Sequence, residues 1–179
     1  MNRSDDICFK AEATLGKLSK WLRLLGFDTV YDGQDTGVQE LHTDDKGRIL
    51  LTRTKRVHAR STGRRCVFVA CNDPFEQVRE VLHTLDITAN DIRPFSRCIP
   101  CNRTTCPVDR DTARDHVPDY VWETHVSFWM CSLCRRFYWP GSHTRRAQNI
   151  INRIFEPRRK ETHEQQQQGD CPRGASKKM

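Results

Sequence analysis

Cys98-Ile99-Pro100-Cys101 and Cys131-Ser132-Leu133-Cys134 are two CxxC pairs with 29 residues between them. A turn at each pair lets its two sulfurs face one ion, and four thiolates complete a tetrahedral zinc site that leaves no position for water. Such a zinc stabilises the fold and does no catalysis; a redox role for either pair is the alternative. The residues between the pairs have room for a β-hairpin insert. Cys106, His116, His125 and His143 lie close in sequence, but the four paired cysteines already suffice as ligands.

The chain holds nine cysteines, and its start, MNRSDDICFKAEA, is too acidic and too poor in apolar residues to read as a signal peptide. No run approaches the roughly 18 to 20 apolar residues of a membrane span. The expectation is an intracellular, cytoplasmic protein with no membrane association, in which cysteines bind metal and do not pair. Cys8, Cys66 and Cys71 stand singly in apolar or strand-like contexts and read as small core residues.

A second group of candidates is acidic, and its chemistry depends on what the fold brings together. ICFKA (7–11), DTVY (28–31), RILLT (48–52) and CVFVA (66–70) read as four short strands. Between the first two lies TLGKLSKWLRLLG, with Leu15, Leu18, Trp21, Leu22 and Leu25 at helical spacing, Thr14 as its cap and Gly26 as its end. A short helix around Val38 and Leu41 is allowed after the second strand. After the fourth strand, DPFEQVREVLHTL has Asp73 at the N-cap, Pro74 at the first helical position and Glu76 placed for a capping box.

Strands alternating with helices imply an α/β domain with a parallel sheet over residues 1–94. The carboxyl ends of such strands share one edge, where ligands bind. The residues just past those ends are Glu12, then Asp32 and Asp35, then Thr52, Arg53 and Thr54 of LLTRTKR, then Asn72 and Asp73. Carboxylates gathered at one edge repel one another unless a hard cation such as Mg²⁺ or Mn²⁺ neutralises them, and such ions activate water for phosphodiester cleavage. Each acid also has a plainer reading: Asp73 as an N-cap, Asp32 and Asp35 as turn residues beside glycines, Glu12 as a solvated helix-start charge.

Residues 95–156 form the cysteine-bearing ribbon, whose aromatics Trp122, Phe128, Trp129, Phe137, Tyr138 and Trp139 are expected to supply its small core. A closing amphipathic helix from Ser142 to Phe155 is expected to pack on that ribbon. Residues 157–179 are polar, low in complexity and basic at their ends, and read as a disordered tail. With 30 Lys and Arg against 23 Asp and Glu, the chain has a formal net charge of +7 and an isoelectric point near 9.1, which points to a polyanionic partner such as RNA, DNA or an anionic membrane. Lys17, Lys20 and Arg23 form a basic stripe on the first helix, and Arg53, Lys55 and Arg56 crowd the third strand's end, so these six are the expected phosphate contacts.

The segments FKAEATLGKLSKWLRLLGFDTVY, GRILLTR, EQVREVL, FSRCIPCN and VPDYVWETHVSFWMCSLCRRFYWPGSH, spread over residues 9 to about 155, resemble the Mut7-C RNase domain family. That resemblance implies a PIN-like nuclease fold with a C-terminal zinc ribbon, cleaving RNA by means of acids that bind a divalent metal. The family's first acid falls on Glu12, the next on Asp35 with Glu40 as the alternative, and the acid after the fourth strand on Asp73. Where the family reads Thr-Arg-Asp after the third strand, this chain has Thr54. A neutral hydroxyl is a weak Mg²⁺ ligand, so the rim becomes more positive and better suited to phosphate than to metal. Two expectations follow: a metal-dependent ribonuclease with a degenerate acidic site, or an inactive module that binds RNA or a ribonucleoprotein.

Overall fold

In the computed structural model of the chain, residues 7–33, 47–61 and 65–156 are described. Asp35, Glu40, the helix expected around Val38 and Leu41, and the tail beyond Glu156 lie outside the described residues.

Strands β1 (Cys8–Ala11), β2 (Asp28–Tyr31), β3 (Ile49–Thr52) and β4 (Cys66–Phe68) form a wholly parallel sheet in the order β2-β1-β3-β4. The strands alternate as a pleated ribbon must, placing Phe9, Ala11, Ile49, Leu51 and Val67 in the core. Cys66 and Phe68 are half-buried, so the fully apolar look of CVFVA overstates how deeply β4 is covered. Cys8 is half-buried, in keeping with a small apolar role, whereas Cys71 is buried and disulfide-bonded, which corrects its reading as an unpaired core residue.

Helix α1 (Gly16–Leu24) lays Leu18 and Leu22 into the core, with Leu15 and Leu25 buried at its two ends. It does not start at Thr14, which sits inside a 3₁₀ turn (Ala13–Leu15) and makes no cap. Its end follows the expectation: Gly26 takes φ +99°, a left-handed conformation that costs glycine little, and Gly26 N–H and Phe27 N–H return to the carbonyls of Arg23 and Leu22. A side chain there would also meet the Arg93 carbonyl, 2.4 Å from the would-be Cβ.

Helix α2 (Lys55–Arg60) buries none of its residues, whereas α3 (Pro74–Thr84) buries Gln77, Val78, Val81 and Leu82. Asp73 caps α3, its Oδ1 accepting from the N–H groups of Phe75 at 2.9 Å and Glu76 at 3.1 Å.

The ribbon carries a second sheet, β5 (Thr105–Val108), β6 (Phe128–Cys131) and β7 (Phe137–Tyr138), antiparallel in that order. The expected hairpin insert is the β5–β6 pair, elaborated by short helices α4 (Arg110–Ala113) and α5 (Asp119–Thr124) between the strands. Ala113, Val117, Val121 and Phe128 make its own small core, with Trp122, Phe137 and Trp139 packed against it.

Helix α6 (Ser142–Phe155) corrects an expectation: it packs on the α/β part and not on the ribbon. Ile151 and Ile154 join the main core, Arg153 lies over the Phe75 ring of α3, and Arg79 of α3 donates to the Glu156 carbonyl at 2.8 Å. The apolar stripe of α6 said only that the helix needed a partner, and the ribbon's core was already filled by its own aromatics. No helix among the described residues is long and apolar enough to cross a membrane.

Truncating Ile151 to alanine should therefore destabilise the α/β core by about 2–5 kcal/mol, the usual range for a buried aliphatic cut to alanine. Urea denaturation compared with the half-buried Ile150→Ala checks this; equal, small losses at both positions would contradict the docking of α6.

Candidate metal centre and nucleic-acid edge

The two CxxC pairs fold into matching turns. In the first, Cys98 N–H donates to the Arg103 carbonyl at 2.8 Å and Asn102 N–H to the Cys98 carbonyl at 2.8 Å. In the second, Cys131 N–H donates to the Arg136 carbonyl at 3.0 Å and Arg135 N–H to the Cys131 carbonyl at 2.9 Å. Asn102 and Arg135, each just past the second cysteine of its pair, adopt φ of +58° and +59°. The left-handed residue swings each loop back so that both sulfurs of a pair face the same point.

All four sulfurs lie within 4.8 Å of one another, with Cys98 Sγ and Cys134 Sγ 3.7 Å apart. A tetrahedral zinc with Zn–S bonds of about 2.3 Å needs S–S edges of about 3.8 Å, so the donor set fits the ion. Cys98, Cys101 and Cys131 are buried and Cys134 is exposed. Burial and the neighbouring sulfurs push the Cys98 and Cys101 thiols up. At Cys134 burial opposes the thiolate, yet the Arg136 backbone N–H and hydrogen bonds from the other three thiols bring it down to about 7. A cluster with thiols pushed in opposite directions becomes four thiolates only around a cation. Tyr138 adds a ligand-orienting contact: its hydroxyl donates to Cys98 Sγ at 3.0 Å, and burial together with that bond pushes the phenol up so that it stays a donor.

The spare donors are placed elsewhere. Cys106 is exposed and outside the cluster, His116 stacks on Phe137 with ring centroids 5.0 Å apart, and His125 Nδ1 lies 3.1 Å from the Val121 carbonyl.

The second candidate is the carboxyl edge of the parallel sheet. After β1 the chain crosses to β2, and after β3 it crosses the other way to β4, so the order reverses between β1 and β3 and leaves a crevice there. Backbone bonds carry the ladder one step past the strands: Glu12 N–H to the Leu51 carbonyl at 3.0 Å, Asp32 N–H to that of Ala11 at 3.0 Å, and Val69 N–H to that of Thr52 at 2.8 Å.

Glu12 emerges at this crevice opposite Thr52, Arg53 and Thr54. Its Oε2 accepts from the Thr52 hydroxyl at 2.6 Å and the Arg53 N–H at 2.8 Å, and its Oε1 accepts from the Thr54 hydroxyl at 2.5 Å. Burial alone raises the Glu12 carboxyl, but the hydrogen bonds from Thr52, Thr54 and the Arg53 backbone together outweigh it and hold the group below its ordinary value. The Arg53 side chain reaches Asn72, and the turn bearing Asn72 is shaped from α3. Glu80 accepts from the N–H groups of Ala70 and Cys71 at 3.0–3.1 Å, while Gln77 donates to the Cys71 carbonyl at 3.0 Å.

Of the other expected site residues, Asp73 is exposed and engaged as the α3 cap, and Asp32 is exposed and paired with Lys10 at 3.5 Å. Among the described residues, the four cysteines are the group in which three or more potential ligands converge; Glu12 and Asp73 form no such group. Lys17 and Lys20 stand exposed on α1, Lys55 and Arg56 stand exposed at the start of α2, and Arg53 is half-buried.

Arg23 departs from the expected phosphate stripe. It is 7% exposed and donates to the carbonyls of Thr29 at 2.9 Å, Ile99 at 2.7 Å and Pro100 at 3.1 Å. Its fork is occupied inside the protein, so it is removed from the set of phosphate contacts. Asn102, Glu80 and Gln77 were not singled out beforehand; of these only Asn102 carries a local signal, its place directly after a CxxC pair, where a left-handed residue is needed.

A parallel α/β sheet with a polar crevice at its switch point, joined to a ribbon built around a four-sulfur site that fits a metal ion, defines an α/β protein with a candidate metal centre. The chain matches the family model described as the Mut7-C RNAse domain over residues 7–151, and it belongs to that family. The match takes in both the sheet and the ribbon. No curated protein and no solved structure matches the chain.

Two outcomes are expected. Purified protein should hold one tightly bound metal per chain and release it as pH falls from neutral to mildly acidic, because ligating thiolates must reprotonate; a chromophoric chelator reads the release directly. For Glu12 the folded carboxyl lies below its ordinary value of 4.5, so its contribution to stability is present above that value and lost as pH falls through the lowered folded value. Glu12→Gln should flatten the acid limb of the stability profile in that window, leaving the neutral limb's slope unchanged.

Proposed function

We propose that this protein is an RNA-binding member of the Mut7-C RNase family in which the acidic edge has largely given up metal capture, so that phosphodiester cleavage is slow or absent. The observation that carries the reading is the state of Glu12: both its oxygens are already taken by Thr52, Arg53 and Thr54, and its charge is balanced by neutral donors. A carboxylate at position 54 would stand within hydrogen-bond distance of Glu12, and two such groups require a cation. The threonine removes that requirement. Beside the exposed Asp32 and Asp73 stand exposed cations: Lys55 and Arg56 start a helix exposed along its length, with Lys17 and Lys20 on α1.

The second reading is a divalent-metal ribonuclease using Glu12, Asp73 and Asp35 with Mg²⁺ or Mn²⁺. Its support is the placement of Glu12 at the switch-point crevice, where an α/β sheet binds ligands. Family membership favours RNA as the polyanion under either reading. A ribonucleoprotein partner and a cytoplasmic setting fit the binding reading, which needs no turnover.

Labelled single-stranded and hairpin RNA, incubated with zinc-loaded protein in Mn²⁺ or in EDTA, separates the two. The expected result is salt-sensitive binding without cutting by the native chain, binding retained in Glu12→Gln, and a gain of Mn²⁺-dependent cleavage together with Mn²⁺-dependent thermal stabilisation in Thr54→Asp. Metal-dependent cleavage by the native chain that disappears in Glu12→Gln would establish the nuclease and overturn the binding reading.

A further inference from the structure

We propose that Arg23 is the residue that couples the zinc centre to the α/β sheet: its buried guanidinium holds the first cysteine turn, and metal occupancy in turn keeps the outer edge of β2 closed. The inference rests on the four-cysteine site and is independent of whether the protein cuts RNA.

Strand β2 is an edge strand, paired with β1 on one side. At Thr29, which is fully buried, the N–H donates to Asn102 Oδ1 at 3.0 Å and the carbonyl accepts from Arg23 Nε at 2.9 Å. These two side chains supply what a neighbouring strand would supply, one acceptor and one donor. Both are tied to the first cysteine turn. Asn102 is the left-handed residue that follows Cys101, and Arg23 Nη1 binds the carbonyls of Ile99 and Pro100, the two residues between Cys98 and Cys101.

Further bonds fix the same turn from other elements. Asn102 Nδ2 donates to Asp28 Oδ1 at 2.7 Å, Arg48 makes a two-pronged pair with Asp28 at 2.8 and 3.2 Å, and Arg97 joins the Gly26 carbonyl at 2.9 Å to that of Asn102 at 2.7 Å. The Ile99 and Pro100 carbonyls that meet Arg23 belong to the loop between Cys98 and Cys101, so an ion held by both cysteines would fix the same loop. Conversely, zinc with four thiolates carries a net charge of −2, and a guanidinium bonded to the ligand-bearing loop is placed to oppose it. Side chains that support a metal ligand in this way commonly contribute about 10–100-fold to metal affinity.

The test uses the full-length, zinc-loaded chain and two readings unrelated to RNA: zinc transfer to a chromophoric chelator, and hydrogen exchange of the Thr29 amide. Arg23→Gln is expected to lose zinc about 10–100-fold faster than the native chain. Arg23→Lys, which keeps the charge but not the fork, should fall between the two. Ile151→Ala, which weakens the core away from the cysteines, should release zinc at the native rate, and stripping zinc from the native chain should raise exchange at Thr29. Native-rate release from Arg23→Gln, or equally fast release from Ile151→Ala, would overturn the proposal. If Arg23→Gln fails to fold, the native chain decides alone: Thr29 exchange unchanged by zinc removal sinks the coupling.

Discussion

Among the described residues Thr29 has no strand beyond it, and the way its backbone is satisfied explains much of the rest of the molecule. An edge strand offers a row of donors and acceptors that a protein must cover or leave to other chains. Here the cover is a cysteine turn, which reaches Thr29 through Asn102 and Arg23. For the turn to arrive there, the chain after α3 must run along the end of α1, and it does so through backbone bonds. Arg93 N–H meets the Leu25 carbonyl and Phe95 N–H meets that of Leu24, satisfying carbonyls that the end of a helix leaves unpaired. The close approach of Arg93 to Gly26 is the steric counterpart of the same route. Ribbon and sheet thus share a buried polar joint, and a boundary near residue 94 marks a change of composition more than a change of mechanical unit.

The molecule holds two clusters that a metal ion would suit, and they resolve the problem of crowded like charges in opposite ways. The four sulfurs are packed at a spacing that fits a tetrahedral dication such as zinc. At the crevice, Glu12 is surrounded by hydroxyls and a backbone N–H, and its negative charge is stabilised without an ion. The sulfur set has the spacing of a metal centre, whereas the charge of Glu12 is met by hydrogen bonds from the chain itself.

Much of this was legible in the chain because it is local. The capping of α3 by Asp73, the close of α1 at Gly26 and the turn at each cysteine pair are decided within a few residues. What was not legible depends on distant partners. Arg23 sits at helical spacing from the exposed Lys20 and looked like its equal; its burial is fixed by carbonyls 76 and 77 residues away. The stripe of α6 announced an apolar face but not which surface would receive it. Glu80 and Gln77 looked like ordinary polar residues of a surface helix, yet they hold the turn that carries Asn72. The departure at Thr54 was visible from the motif, whereas its three-way bonding with Glu12 and Thr52 was not.

Thr54 also opens α2, and the two roles compete for one hydroxyl. A threonine at a helix N-cap ordinarily turns its oxygen toward the N–H groups of the first turn. In this chain it makes no such side-chain cap; its backbone carbonyl accepts from Val57 and His58 while the hydroxyl goes to Glu12. Helix α2 buries nothing and lacks that cap; His58 lies against Phe68, with ring centroids 5.8 Å apart. Lys55 and Arg56 are carried on its exposed first turn. Under the binding reading proposed above, Thr54 removes a carboxylate from the edge and leaves beside it a cationic segment suited to a polyanion.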